Sequence, residues 1–194
     1  MTDDEGKMVK ALARTELSDE AAQIEKLIAE TRYKDALARC AKAYSGPLGR
    51  LCTALTGSQA EAEELVQETL LAAYDGFPGF RFEGSIRAWL FGIARRICGR
   101  HNEMRNRRQA RLRLVHDTGR GADAGELAIE RERAVRARNA LAQLKPSERE
   151  AVVLRYDAGM SFREVAVACG VDEAAARKRV SRALIRLRES LADV

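Results

Sequence analysis

The chain has 194 residues, a formal net charge of +5 at pH 7 and 32% charged residues. That length allows one larger domain or two small ones, each with a core of its own. No apolar run approaches the roughly 18 residues of a membrane-spanning helix, and the polar, acidic start of the sequence lacks the pattern of a signal peptide. We therefore expect a cytoplasmic protein without membrane insertion, whose basic charge suits an anionic partner.

Helix-forming residues dominate the sequence, β-branched runs are absent, and only three prolines occur. The composition predicts an all-α fold, and the patterns along the chain divide it into two small helical domains joined by a flexible linker. The N-terminal extension, 1–34, begins with an acidic stretch: its first 30 positions hold eight acidic and four basic residues. Leu17, Ala21, Ile24 and Ile28 recur there at helical spacing. A disordered tail and a docking helix both fit this extension.

The first domain is predicted over 35–108. Ser58 followed by Glu61 has the capping-box pattern, which predicts a helix that runs to about Tyr74. A second helix is expected to start near Ser85. Its inward face is formed by apolar residues at helical spacing: Ile86, Leu90, Ile93, Ala94 and Ile97.

The second of these helices leads into a strongly basic segment. Eight arginines stand against one acid between Arg95 and Arg113, for a charge of +7. Such residues neutralise backbone phosphates, although arginine near a helix C-terminus also complements the helix dipole. Phe80, Phe82 and Trp89 lie nearby in sequence, and aromatic rings beside a basic strip stack unpaired bases. For Trp89 itself the spacing favours a core position.

Turn-forming residues then replace the apolar period over 109–131, which predicts a linker. The second domain is predicted over 132–194. A helix is expected to run to Leu144, and Ser147 with Glu150 repeats the capping-box pattern at the start of the next helix.

The remainder has the pattern of a helix-turn-helix. Ser161 and Glu164 form a third capping box, and Gly170 permits a left-handed turn before a last helix. Phe162, Val165, Ala166 and Cys169 are predicted on the inner face of the first helix. In the last helix the outward positions are Glu173, Arg177, Lys178, Ser181 and Arg182. A solvated helical hairpin is the alternative, but the basic excess of this helix favours a major-groove contact with DNA.

No catalytic or metal site is expected. Cys40, Cys52, Cys98 and Cys169 are widely separated, and the two histidines complete no metal-ligand spacing. We predict buried free thiols, no nucleophile-base pair, no metal and no cofactor.

Two parts of the sequence match a known pattern. The first consists of Ala62-Glu-Glu-Leu-Val-Gln-Glu-Thr69 and Phe80-Arg-Phe-Glu-Gly-Ser-Ile-Arg-Ala-Trp-Leu-Phe-Gly-Ile-Ala-Arg95. These stretches closely resemble region 2 of the extracytoplasmic-function sigma factors of bacterial RNA polymerase. Leu141-Ala-Gln-Leu-Lys-Pro-Ser-Glu-Arg-Glu150 and Leu154-Arg-Tyr-Asp-Ala-Gly-Met-Ser-Phe-Arg-Glu-Val-Ala166 resemble region 4. The two regions stand in the family's order, with a linker between them.

The resemblance implies an alternative sigma factor without catalytic activity, whose partners are core RNA polymerase, promoter DNA and an anti-sigma factor. By position it implies polymerase binding for Glu64, Leu65, Val66, Gln67 and Glu68. It implies minus-10 contacts for Arg81, Phe82, Ser85, Arg87, Arg95, Arg96 and Arg100, and minus-35 contacts for Glu173, Arg177, Lys178, Ser181 and Arg182.

The sequence also departs from the family pattern. Phe82 stands where the family usually has Gly, Arg96 where it has Asn, and Arg100 where Asp is frequent. Ala175 and Ala176 replace a usual Thr and Val. Two other functions remain as alternatives: a stand-alone helix-turn-helix regulator, and a sigma mimic that binds an anti-sigma protein without touching DNA.

Overall fold

The computed structural model of the chain describes residues 19–113, 136–137 and 139–192. Every regular element in these ranges is a helix, which confirms the all-α prediction. None of these helices is both long and apolar enough to cross a membrane. In chain order the helices are α1 (19–29), α2 (Tyr33–Thr56), α3 (Gln59–Gly76), a 3-10 helix (Phe77–Gly79), α4 (Ile86–Arg113), α5 (139–143), α6 (Pro146–Tyr156), α7 (Phe162–Cys169) and α8 (Glu173–Ala192).

Helix α1 packs against the bundle that follows it. Ala21, Ile24 and Ile28 are buried, as their helical spacing predicts, while Leu17 lies outside the described residues. A Glu25 side-chain oxygen accepts a hydrogen bond at 2.8 Å from the backbone amide of Ile86, the first residue of α4. Of the two alternatives for the extension, a docking helix is therefore the correct one for 19–29.

Helices α2, α3 and α4 form the first bundle. Helix α2 ends at Thr56, and its C-cap residue Gly57 has a φ of 79°, in the left-handed region that glycine adopts without strain. Helix α3 follows at once, because Ser58 Oγ accepts a hydrogen bond from the Glu61 amide at 3.3 Å. The predicted helix start at Ser58 is confirmed. Only half of the predicted capping box forms, since the Glu61 carboxylate accepts instead from Arg105 at 2.9 Å.

The predicted capping box at Ser147 and Glu150 is wrong. Helix α6 begins at Pro146, with Lys145 in the N-cap position and no side-chain cap. Proline suits the first helical position because its φ is already helical and its missing N–H has no partner there in any case. Glu150 is therefore free to pair with Arg95 on α4, at 3.3 Å.

Helix α4 extends beyond the predicted boundary of the first domain. It continues to Arg113, past the predicted end of the first domain at 108. The added residues, 109–113, are Gln, Ala, Arg and Leu, all good helix formers. Most of the predicted linker, 109–131, lies outside the described residues.

The two predicted domains pack against each other, a contact that the sequence does not predict. Helix α7 lies on α4, helix α6 lies on α2, and one hydrophobic cluster extends through both halves. The backbones approach most closely at Gly92, where an added Cβ would lie 3.3 Å from the Ala168 carbonyl oxygen. All four cysteines are buried and unbonded, as predicted.

Candidate functional site

The helix-turn-helix is built as the sequence predicts. The Glu164 amide donates to Ser161 Oγ at 3.2 Å, and the Ser161 amide donates to a Glu164 carboxylate oxygen at 2.9 Å, so this capping box is complete. Gly170 adopts a φ of 66° and turns the chain out of α7. Asp172 then caps α8 by accepting from the Ala175 amide at 2.7 Å. These caps fix the angle at which α8 leaves α7.

The outward face of α8 is open. All five residues predicted there are exposed: Glu173, Arg177, Lys178, Ser181 and Arg182. Arg177 pairs with Glu173, and its guanidinium lies 4.4 Å from the centroid of the Phe162 ring. These contacts hold the charge of Arg177 near the N-terminal end of α8, the end that enters the major groove in helix-turn-helix proteins.

Residues 80–84 form a loop at the end of the first bundle, and 81–83 are its exposed part. Phe82 has a φ of 57°, an unusual conformation for a bulky residue, and is 49% exposed. Its ring stands edge-on to Phe80, with 4.7 Å between centroids. Arg81 is exposed beside it, while Trp89 is half-buried and packs against Phe77 and Phe80. The loop therefore presents one aromatic ring and one cation to solvent.

The next two predicted residues face the second domain instead of solvent. Ser85 Oγ accepts from the Ala88 amide at 3.2 Å and donates to Glu164 at 3.2 Å. Arg87 is only 8% exposed, and its Nη1 lies 3.9 Å from the same carboxylate. Glu164, the capping-box residue of α7, thus covers this part of α4.

The three remaining arginines of the predicted minus-10 set differ in their surroundings. Arg95 Nε donates to the Ala168 carbonyl at 3.1 Å, and its Nη1 lies 3.3 Å from Glu150. Arg96 is exposed and donates only within its own helix, to the Gly92 carbonyl at 3.3 Å. Arg100, also exposed, lies 3.5 Å from Glu68. Arg95 is therefore tied to the second domain, whereas Arg96 and Arg100 remain on the surface.

An arginine-rich cavity of about 690 Å³ opens between α4 and α6. Burial raises the pKa of Glu150 in its wall, and Arg95 partly offsets this. Burial also lowers the pKa of Arg149, which donates at 2.7 Å to the carbonyl oxygens of Leu141 and Ala142. The charged residues of the lining are Arg95, Arg96, Arg100, Arg105, Arg149, Glu103 and Glu150.

The predicted polymerase-binding residues lie on α3 and divide into two groups. Glu64, Gln67 and Glu68 are exposed, while Leu65 and Val66 are 3% and 9% exposed. A groove of about 720 Å³ runs between α3 and α2 beside this face. Val66 and Gln67 line it, together with residues that the sequence did not single out: Gly49, Arg50, Ala54, Leu70 and Leu141.

Residues at the contact between the domains are what the sequence analysis missed. Val167 and Ala168 face the first domain: Ala168 is buried, and Val167 lies 3.4 Å from where a Cβ of Gly84 would be. The sequence held no local signal for this contact, because α4 contains two glycines and only Gly92, not Gly99, lies against another backbone. Among the described residues no group of three or more His, Cys, Asp and Glu is arranged to hold a metal ion.

Both halves of the chain match known protein families. Two family profiles match: "Sigma-70 region 2" over residues 31–111 and "Sigma-70, region 4" over residues 134–187. The ECF RNA polymerase sigma factor SigL of Mycobacterium tuberculosis is 31% identical over 158 residues, which cover 78% of this chain and 86% of the relative. BldN, an ECF RNA polymerase sigma factor of Streptomyces coelicolor, is 31% identical over 173 residues, 85% of this chain but 64% of its own length.

A solved structure agrees with these matches. The complex of the sigma factor RpoE with the anti-sigma factor NepR from Bartonella quintana aligns with a TM-score of 0.61 at 29% identity, over 76% of this chain and 91% of that one. The chain belongs to the sigma-70 family of bacterial transcription initiation factors, in its extracytoplasmic-function group. The match spans just under two thirds of BldN.

Proposed function

We propose that this chain is an alternative sigma factor, which binds the core of bacterial RNA polymerase in the cytoplasm and directs it to particular promoters. One observation carries the proposal: a region 2 and a region 4 stand in one chain, and the recognition helix of region 4 exposes its basic face. The factor supplies binding energy and no catalysis. Promoter melting then follows from tighter binding of the unpaired strand than of the duplex.

The proposed modules are region 2 over 35–108 and region 4 over 132–194, joined by 109–131 and preceded by the extension 1–34. Polymerase binding is assigned to the outer face of α3, where Glu64, Gln67 and Glu68 are exposed and Val66 borders the groove, while Leu65 supports that face from the core. Minus-10 contacts are assigned to Arg81, Phe82, Ser85, Arg87, Arg95, Arg96 and Arg100. Minus-35 contacts are assigned to Glu173, Arg177, Lys178, Ser181 and Arg182.

The contact between the domains means that promoter binding requires them to separate. The names of the two promoter elements place them about 25 base pairs apart, or roughly 85 Å at 3.4 Å per base pair. With α7 resting on α4, Arg87 and Arg95 face protein instead of DNA. We infer that region 4 leaves α4 when the factor joins the polymerase, and that the chain between the domains sets the effective concentration for the second contact.

An anti-sigma factor is the third proposed partner. A sigma factor that is 29% identical to this chain was solved with an anti-sigma factor bound. We call the arrangement in which the second domain packs on the first the closed form, and the arrangement with the domains apart the open form. An anti-sigma factor that binds the closed form better than the open form shifts the population toward the closed form.

The deciding experiment mixes the full chain with sigma-free core polymerase and measures co-elution, followed by run-off transcription from genomic fragments. We expect a stable complex and start sites that core polymerase alone lacks. The double variant Glu64→Ala/Gln67→Ala should weaken co-elution, because both side chains are exposed on the proposed polymerase face. Glu189→Ala, an exposed acid at the far end of α8, is the matched control and should leave co-elution unchanged.

Two other outcomes would overturn the proposal. Specific DNA binding without any core binding would identify a stand-alone helix-turn-helix regulator. A chain that binds an anti-sigma protein but binds neither core polymerase nor DNA would be a sigma mimic. The test includes the chain after its release from the anti-sigma protein.

A further inference from the structure

Two of the four cysteines meet inside region 2. Cys52 lies on α2 and Cys98 on α4, each fully buried, with 3.4 Å between the sulfur atoms. A disulfide needs about 2.05 Å between sulfurs, so about 1.4 Å of approach, shared by two side chains, would close the bond. We call these two residues the dithiol pair.

The other two cysteines are placed differently. Cys40 precedes Cys52 by twelve positions on the same helix, which puts it about 18 Å further along the axis. Cys169 ends α7 in the other half of the molecule. Both are buried, like the dithiol pair. Among the described residues, the hydrogen bond between two sulfur atoms joins Cys52 and Cys98 and involves neither Cys40 nor Cys169.

The seam between α2 and α4 holds the dithiol pair in position. Before the pair, Tyr44 and Phe91 meet edge to face with 6.4 Å between ring centroids. After it, the side-chain amide of Asn102 donates to the Leu55 carbonyl at 3.0 Å, and Arg105 donates to the next carbonyl along at 2.9 Å. These contacts advance along both helices in the same direction, so the helices are parallel there. With contacts on both sides, the sulfurs stay opposed.

The two thiols are chemically unequal. The Cys98 thiol donates a hydrogen bond to the Cys52 sulfur. This bond lowers the pKa of Cys52 against the effect of burial, while the same bond and burial raise the pKa of Cys98. Burial without such a donor raises the pKa of Cys40 to about 12. Because the thiolate is the nucleophile, this hydrogen bond favours Cys52 over Cys98 as the first to react.

An open cavity comes close to the dithiol pair without exposing it, since both cysteines are fully buried and neither is part of the lining. The cavity between α4 and α6 is lined by Leu55, Gly99 and Asn102, each within about one helical turn of a pair member in sequence. A Cβ added at Gly99 would meet nothing within 4 Å.

We propose that Cys52 and Cys98 form a reversible redox site, which a small hydroperoxide oxidises to an intramolecular disulfide. The Cys52 thiol loses its proton, the thiolate attacks one peroxide oxygen, and the O–O bond breaks to give a Cys52 sulfenic acid and a hydroxide or alkoxide, which takes up that proton and leaves as water or an alcohol. The Cys98 sulfur then attacks the Cys52 sulfur and displaces hydroxide, which leaves as water with the Cys98 proton. Two electrons pass from the sulfurs to the peroxide, and a small dithiol returns them.

The disulfide would tie α4 to α2 within region 2. Helix α4 carries the exposed Arg96 and Arg100, so oxidation fixes the helix on which these charges sit. The inference stands on the geometry of the dithiol pair and does not depend on the proposed function.

The test exposes the reduced full chain to hydrogen peroxide, alkylates the remaining thiols and measures the intact mass. We expect two of the four thiols to be lost, a mass decrease of about 2 Da before alkylation, a cross-linked peptide that joins positions 52 and 98, and full reversal by dithiothreitol. Cys40→Ala, the matched control from the same helix, should retain all of these changes. Cys52→Ser and Cys98→Ser should each abolish the cross-link.

The single variants also report the order of the steps. In Cys98→Ser the sulfenic acid at position 52 has no resolving thiol, so dimedone should label it, whereas Cys52→Ser should give little labelling at position 98. Substitution of a buried cysteine can disturb folding. The peptide map of the oxidised wild-type chain therefore decides whether positions 52 and 98 form the disulfide. A cross-link between other cysteines, a mass gain of oxygen atoms with no thiol pair lost, or no reaction in the folded chain would each overturn the proposal.

Discussion

Helices α4 and α8 are the two basic helices of the molecule, and the fold uses their charge in opposite ways. On α8 the predicted DNA-facing residues are all exposed, and Arg177 contacts Glu173 of the same helix and Phe162 of α7. On α4, Arg87 and Arg95 turn toward region 4. Similar runs of arginine in the sequence thus lead to one open surface and one partly covered surface. Charge density alone does not tell whether a basic helix is available to nucleic acid.

The largest expected effect comes from removing positive charge from the exposed face of α8. Arg177→Ala/Lys178→Ala removes two outward cations from α8, and a specific base contact contributes about 1 to 3 kcal/mol. We expect promoter affinity to fall by about 2 to 4 kcal/mol, roughly 30- to 1,000-fold, with binding to core polymerase unchanged. Quantitative footprinting of the holoenzyme measures this. Arg188→Ala, an exposed arginine near the end of the same helix, should change affinity by less than about tenfold.

Equal losses from the double variant and from Arg188→Ala would contradict the assignment. In that case the charge of α8 would act without positional specificity.

The helix-turn-helix could be predicted from sequence because its signals are local. The Ser161 cap, the turn at Gly170 and the outward spacing of the basic residues all lie within a short stretch, and each agrees with the structure. Helix α2 is the opposite case. It continues through Pro47, a residue that costs an isolated helix about 3 kcal/mol, because Tyr44, Leu48 and Leu51 are fully buried along one face. That gain comes from other helices and leaves no local signal.

The contact between the domains could not be predicted for the same reason. Glu150 has the spacing of a capping-box residue, and only the neighbouring α4 shows that Arg95 is its partner. Leu65 was placed among polymerase-binding residues by motif position, but it is 3% exposed. Which residues of a motif reach the surface depends on packing, and a motif does not contain that information.

The next largest effect should come from opening the covered surface. Arg95→Ala removes the hydrogen bond to the Ala168 carbonyl and leaves the Glu150 carboxylate without that partner. Hydrogen bonds to charged groups contribute about 1.5 to 3 kcal/mol, so we expect the closed arrangement to lose roughly that much. Small-angle scattering should show a larger radius of gyration. Arg96→Ala is the control, because the hydrogen bond of Arg96 lies within its own helix, and it should change the radius less than Arg95→Ala does.

A purely steric change tests the same contact without altering charge. A Cβ at Gly92 would lie 3.3 Å from the Ala168 carbonyl oxygen, whereas a Cβ at Gly99 would meet nothing within 4 Å. Both Gly→Ala changes favour the helix by about 1 kcal/mol. Gly92→Ala should therefore weaken closure by about 1 kcal/mol relative to Gly99→Ala, read as faster proteolysis between the domains. Equal cleavage rates would show that α7 does not rest on this glycine in solution.

The smallest effect concerns pH and separates two accounts of the Arg95 and Glu150 contact. If the Arg95–Glu150 ion pair alone decided between the closed and open forms, acid would favour the open form, because protonation of Glu150 removes the pair. Burial is the larger influence and raises the pKa of Glu150, although Arg95, Arg149 and Arg179 oppose it. The closed form therefore holds the proton more tightly than a form with Glu150 in water. Its stability is greatest below the usual glutamate pKa near 4.3 and falls as pH rises through the raised value.

We accordingly expect acidification from pH 7 toward about 4.5 to favour closure, by less than about 1.4 kcal/mol for each unit of pKa shift. Scattering measured across this range should show a radius of gyration that decreases in the wild type. In Glu150→Gln the radius should change less, because the uncharged amide keeps the shape of the protonated carboxyl. A wild-type radius that grows on acidification, with Glu150→Gln flat, would show that the ion pair outweighs the cost of burying the charge.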